Sequence, residues 1–218
     1  MFVELSAVRI HYKQEGSGVP LLLLHGNSEN FTIFDPLTEK LKDHYSVYAI
    51  DSRNHGKSGK TEEISYESMA GDMYEFIVKL GLGKVYVAGF SDGAITAWIM
   101  AMKHPEVLGK MILMGPNTNP GDLTDEAVEL IKRVIPNHDT PEFRMIFEQP
   151  QLEIADLAKI TIPSLLIFGE NDLFKPEMIE KLKVSLQNCQ LKVLPGHDHL
   201  SYVVENDLLY PDFKAFLG

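Results

Sequence analysis

Residues 85–94 read Val85-Tyr86-Val87-Ala88-Gly89-Phe90-Ser91-Asp92-Gly93-Ala94. The apolar run Val85–Ala88 has the length of a buried strand, and a helical pattern follows from Ile95 to His104. Between them a serine stands flanked by glycines two residues either side. A G-x-S-x-G at a strand-to-helix junction is a nucleophile elbow, a tight turn that presents the serine hydroxyl at the edge of a sheet. The glycines are required because backbones pack there too closely for side chains, and the turn strains its central residue.

Working outward, further short apolar runs recur: Pro20–Leu24, Tyr45–Ile50, Lys110–Met114, Ser164–Phe168 and Leu191–Leu194. Val8–Tyr12 alternates and meets Gly16-Ser17-Gly18, which predicts an early antiparallel strand or hairpin. Helical patterns lie between the runs at Phe31–Leu41, Tyr66–Leu80, Pro176–Leu186 and Asn206–Phe216. Strands apolar on both faces, alternating with helices, define an α/β fold: a mostly parallel central sheet with helices on both faces. Residues 116–158 break the alternation. Thr124-Asp125-Glu126 opens a helix over Ala127–Ile135, and Thr140-Pro141 opens another over Glu142–Glu148. This interval reads as a small helical lid inserted after the sixth strand, with residues 1–115 and 159–218 forming the core. Phe143, Met145, Ile146 and Phe147 read as exposed on it.

A chain of 218 residues suits one such domain. It carries 31 acidic against 20 basic residues, a net charge of −11, which argues against nucleic acid or an anionic membrane as partner. Its single cysteine, Cys189, excludes an intrachain disulfide and fits a reducing compartment. The first residues show no basic segment leading into an apolar core, and no apolar run approaches the ~20 residues of a membrane span. The expectation is a cytoplasmic protein, monomer or homodimer, with no cofactor. His197-Asp198-His199 has the spacing of a metal pair, but no second cluster accompanies it, so no metal is expected.

In open α/β sheets function gathers at the carboxyl ends of strands. A serine nucleophile needs a base, and the base an orienting acid, in the chain order serine, acid, histidine for this elbow. Gly169-Glu170-Asn171-Asp172 follows the strand ending at Phe168, and Pro195-Gly196-His197-Asp198-His199 follows the strand ending at Leu194. Each of these turns offers two candidates: Glu170 or Asp172, and His197 or His199.

These segments, with His25-Gly26-Asn27, Asp51-Ser52-Arg53-Asn54-His55-Gly56-Lys57-Ser58 and Ile162-Pro163, resemble the α/β-hydrolase superfamily along nearly the whole chain. The resemblance implies Ser91 as nucleophile, Asp172 as orienting acid and His199, at the family's G-x-x-H spacing from Gly196, as general base. It implies an oxyanion hole from the backbone N–H groups of Asn27 and Asp92. His25 then braces its loop, and Arg53 and His55 belong to a structural turn. Relatives with aspartate at the elbow (dehalogenases, epoxide hydrolases) are set aside, because Ser91 stands there and residues 117–158 contain no tyrosine.

The implied activity is that of a serine esterase acting on small carboxylic esters through an acyl-enzyme. Phe90, Phe143 and Phe147 are the expected apolar lining. The elbow is also similar to that of valacyclovir hydrolase-like enzymes, which implies that the Asp92 carboxylate meets a substrate ammonium group; the other reading gives it structural hydrogen bonds only. A thioesterase, a C–C bond hydrolase and a slow ligand-binding receptor or stress-signalling protein are the alternative functions of the same constellation.

Overall fold

The computed structural model describes residues 1–135 and 139–218; residues 136–138, inside the expected insertion, lie outside the described residues. Among the described residues eight strands form one sheet: β1 (Phe2–Glu4), β2 (Arg9–Glu15), β3 (Val19–Leu24), β4 (Tyr45–Ile50), β5 (Val85–Phe90), β6 (Leu108–Met114), β7 (Ser164–Asn171) and β8 (Cys189–Asp198). Their order is β1-β2-β4-β3-β5-β6-β7-β8. Pairing is antiparallel from β1 to β2 and from β2 to β4, and parallel everywhere else. The early alternating segment is thus a hairpin-like pair that caps one edge of a parallel sheet.

The continuous apolar run of β3 has a direct cause. Leu21 and Leu23 pack into one core cluster and Leu22 and Leu24 into another, because successive side chains of a strand leave opposite faces. The helices α1 (Asp35–Leu41) and α8 (Tyr210–Leu217) cover the first face through Leu37, Leu41, Phe213 and Leu217. On the second face, α2 (Tyr66–Lys79), α3 (Asp92–Lys103) and α7 (Pro176–Ser185) contribute Met69, Phe76, Trp98 and Leu182.

Several boundaries differ from expectation, two of them near the site and the chain's last helix. The last strand continues past Leu194 to Asp198, pairing Asn171 with Asp198 and so carrying the histidine-rich turn up to the end of β7. The last helix starts at Tyr210 rather than Asn206. Asn206 spends its side chain on turn hydrogen bonds to Val204 O and Leu208 N, and Pro211 stands at the helix start.

The insertion contains α4 (Asp125–Val134), α5 (Pro141–Glu148) and a short α6 (Ile154–Leu157). Thr124 and Thr140 cap the first two by accepting from Ala127 N and Phe143 N, each at 3.1 Å. Phe143 and Met145 are not exposed as expected but buried against the main core, with Ile146 and Phe147 half-buried beside it. An amphipathic helix turns its apolar face inward, and here that face meets the body of the protein. Among the described residues no helix is long and apolar enough to cross a membrane.

Candidate active site

Ser91 sits between β5 and α3 with φ 51° and ψ −113°, a left-handed backbone that L-residues adopt only under constraint. The constraint is visible. A Cβ on Gly89 would stand 2.2 Å from Gly93 O, and one on Gly93 would stand 2.2 Å from Leu24 O. Only glycines let the turn close against itself and against β3. The Ser91 amide donates to Met114 O at 2.8 Å, and its carbonyl accepts from Ala94 N and Ile95 N. Asp92, the first residue of α3, has no intrahelical acceptor for its own N–H, which leaves that donor at the positive end of the helix.

Of the two acids after β7, Asp172 is the one that meets a histidine. His199 Nδ1 donates to Asp172 Oδ1 at 2.6 Å, and that carboxylate also accepts from Leu173 N (2.8 Å), Gly169 N (2.9 Å) and Tyr202 OH (3.3 Å). Burial pushes the Asp172 carboxyl up, but the His199 charge and these donors outweigh it and hold it below its ordinary range. With Nδ1 facing the carboxylate, the neutral form of the ring carries its hydrogen on that nitrogen and offers Nε2 as the acceptor. Phe90 and Phe174 flank the imidazole at ring separations of 4.8 and 5.5 Å. His197 instead contacts Ser201 Oγ at 3.1 Å, and Glu170 accepts from Gly196 N at 2.7 Å. Both serve the turn.

Ser91, His199, Asn27, Asp92 and Phe90 all line one cavity of about 580 Å³. Its far wall is apolar and comes largely from the insertion: Leu130, Ile131, Val134 and Ile135 around α4, and Ile146 from α5. Phe143 and Phe147, expected in that lining, are not part of it. They lie one helical turn apart on the core-facing side of α5, while Ile146 faces the cavity. Several hydrogen bonds pin the insertion to this edge of the sheet. Thr124 N donates to Leu173 O (3.0 Å), Asn27 Nδ2 to Glu142 O (3.0 Å) and Asn54 Nδ2 to Glu142 Oε1 (2.6 Å).

The Asp92 carboxylate is occupied on both oxygens, by Tyr66 OH at 2.7 Å and Asn27 Nδ2 at 3.0 Å. Those bonds tie the loop after β3 to the elbow, the arrangement a merely structural carboxylate makes. Burial raises its pKa. His25 is fully buried, donates from Nδ1 to Gly26 O (2.7 Å) and accepts from Ser52 N (3.0 Å); burial, with His55 nearby, lowers its pKa to about 4. Arg53 forms two 2.6 Å bonds to Asp72 of α2, and His55 Nδ1 meets Arg53 O at 2.9 Å. All three hold loops in place.

Glu29 escaped sequence reading. It accepts from Gly26 N at 3.0 Å and lines the same cavity, and burial pushes its carboxyl up to about 7. A point one bond length off Gly26 Cα, where a Cβ would be, lies 2.9 Å from Glu29 Oε2 and 3.1 Å from Ser91 Cβ. The only available signal was an acid three residues beyond Gly26 in the loop that resembles an oxyanion loop.

A strained serine, a buried carboxylate–imidazole pair and a cavity between them, at the carboxyl edge of a parallel sheet, define the hydrolase class of this architecture. The chain belongs to the alpha/beta hydrolase fold family, whose model matches residues 19–137. It is 24% identical over 210 residues to the hydrolase YraK of Bacillus subtilis, covering 89% of this chain and 76% of that protein. Among solved structures, it is similar to a thermophilic esterase from Thermogutta terrifontis, with TM-score 0.83, 22% identity and coverage of 100% and 98% of the two chains. It is also similar to the carboxylesterase CesB of Bacillus subtilis, with TM-score 0.80, 19% identity and coverage of 100% and 90%.

Proposed function

We propose that this protein is a serine hydrolase that cleaves small carboxylic esters through an acyl-enzyme intermediate. The observation that carries the reading is the 2.6 Å His199–Asp172 bond on the wall of the cavity that Ser91 enters from a strained elbow. Ser91 Oγ attacks the ester carbonyl while His199 Nε2 takes its proton, and Asp172 stabilises the imidazolium that forms. The N–H groups of Asn27 and Asp92 receive the developing oxyanion, a role in which losing one donor typically costs about 100- to 1000-fold in rate. His199 then returns the proton to the leaving alcohol, and water releases the acyl group by the reverse sequence. Helices α4 and α5 act as the lid, and their Leu130, Ile131, Val134 and Ile146 take an apolar acyl group. No lysine or arginine lines this cavity among the described residues, which favours an uncharged acyl part.

A fluorophosphonate probe tests the reading. The protein is expected to label, with labelling lost in Ser91→Ala, and ester turnover is expected to fall on the order of a million-fold in that variant. Labelling that survives in Ser91→Ala, or kcat below ~0.01 s⁻¹ on every ester of a graded acyl panel against the usual 1–1000 s⁻¹, would overturn it.

A further inference from the structure

The catalytic cavity has a more polar neighbour. A recess of about 520 Å³ is lined by Asn54, His55, Lys60, Thr61, Thr140 and Glu142, and it meets the catalytic cavity along an edge made of Ser28, Glu29 and Ile135, which belong to both. Where the first space is walled by leucine, isoleucine and valine, this one sets hydroxyls, amides and carboxyls beside Ile135 and Pro141. The shared edge is close to the chemistry, since Glu29 Oε2 and Ser91 Cβ approach the same point beside Gly26 at 2.9 and 3.1 Å.

The polar groups here are incompletely used. Glu29 Oε2 accepts from Gly26 N, and no protein donor among the described residues meets Oε1. His55 directs Nδ1–H to Arg53 O at 2.9 Å, and its Nε2 is buried out of reach of a ligand in the recess. A carboxyl oxygen at the edge of the recess with no protein partner is free to pair with a ligand. By contrast Asn54 is satisfied: its amide nitrogen meets Glu142 Oε1 (2.6 Å) and Thr61 O (3.0 Å), and its oxygen receives Thr61 N (2.7 Å), so the wall opposite is rigid. Lys60 and Glu142 bring one charge of each sign, which leaves no net charge to select an ion when Glu29 is protonated.

We propose that this recess is the alcohol-side arm of the catalytic cavity, and that the substrate joins a small apolar acid to an uncharged, hydroxyl-rich alcohol. The inference rests on the esterase reading above and names its substrate class. An ester bond held at Ser91 has its acyl part among the apolar residues of α4 and α5 and its alcohol part across the Glu29 edge. Hydroxyls there pair with Glu29 Oε1, which the fold leaves open, donating to it when it is ionised and accepting from it when it is protonated. Glu29 is a specificity-determining residue in this scheme and performs no step of the reaction.

The test compares glyceryl monobutanoate, propyl butanoate and aminopropyl butanoate on the purified protein. The glyceryl ester is expected to exceed the propyl ester by about tenfold in kcat/KM, the worth of one or two neutral hydrogen bonds. That ratio should collapse toward one in Glu29→Leu, and in Lys60→Trp, which fills the recess from its exposed rim, and should survive in Glu29→Gln. Because each ratio is taken within one protein, partial unfolding of a variant does not affect it. A wild-type ratio near one, a ratio that both wall variants leave intact, or a preference for the aminopropyl ester would overturn the proposal.

Calorimetric titration of Ser91→Ala with the glyceryl and propyl esters reads binding without turnover. A Kd about tenfold lower for the glyceryl ester supports the arm even if catalysis is slow, and equal Kd values refute it. Absence of turnover on all esters counts against the esterase reading alone.

Discussion

His197 and His199 are chemically identical and two residues apart, yet they face different worlds. His199 is buried, bonded to Asp172 and flanked by Phe90 and Phe174, whereas His197 leans on Ser201 at the surface of its turn. Only the first can pass a proton between a carboxylate-oriented imidazole and a group in the cavity. Fluorophosphonate labelling is therefore expected to vanish in His199→Ala, with a rate loss of many thousand-fold. It should persist within about tenfold in His197→Ala, and the reverse pattern would move the base to His197. At this scale, residues at the carboxyl ends of strands were legible in sequence, because strand ends are marked by apolar runs and the turn chemistry is local. The use of Asp92 was not legible as a choice between its two readings, because its partners Tyr66 and Asn27 come from 26 and 65 residues away. Glu29 was invisible for the same reason: only the folded loop brings it beside Ser91.

The elements follow from patterning wherever one face of the pattern is unambiguous. The strand runs survive almost unchanged, since residues apolar on both faces can only be buried between two layers of helices. The insertion shows the limit. Sequence marked α4 and α5 through their threonine caps, but it misassigned the face of α5, because a helix's apolar stripe does not announce which of two neighbours it packs on. The central elements also make opposite predictions for two glycines. Gly93 opens α3 against β3, and a Cβ there meets Leu24 O at 2.2 Å, a backbone atom that cannot rotate away. Gly71 lies mid-helix in α2 with nothing within 4 Å of such a Cβ. Urea unfolding should show Gly93→Ala destabilised by about 1–3 kcal/mol or more. Gly71→Ala should be stabilised by about 0.5–1 kcal/mol. Equal effects at the two sites would mean that the elbow is looser than its geometry implies.

For the molecule as a whole, the same buried groups that shape the site also set how stability depends on pH. His25 is held neutral with a pKa near 4 against an ordinary 6.5, so the unfolded chain binds its proton first as pH falls. Its contribution is full above pH 6.5 and is lost as pH drops toward 4. Glu29 works from the other side. Its carboxyl stays protonated up to about 7 in the fold but ionises near 4.5 when unfolded, so the stability it lends is full below 4.5 and lost as pH rises through 7. Between 4.5 and 6.5 the two titrate in opposite senses: as pH falls the His25 contribution is lost while that of Glu29 is regained, and as pH rises the reverse holds. Replacing Glu29 with glutamine keeps an oxygen for Gly26 N–H and removes the titration. Thermal unfolding followed from pH 5 to pH 8 should then show Tm of Glu29→Gln rising relative to the parent as pH increases, with the gap widest above pH 7 and smallest near pH 5. A gap that is constant across this range would mean that the Glu29 carboxyl ionises normally in the fold, and that its burial beside Ser91 costs the molecule nothing.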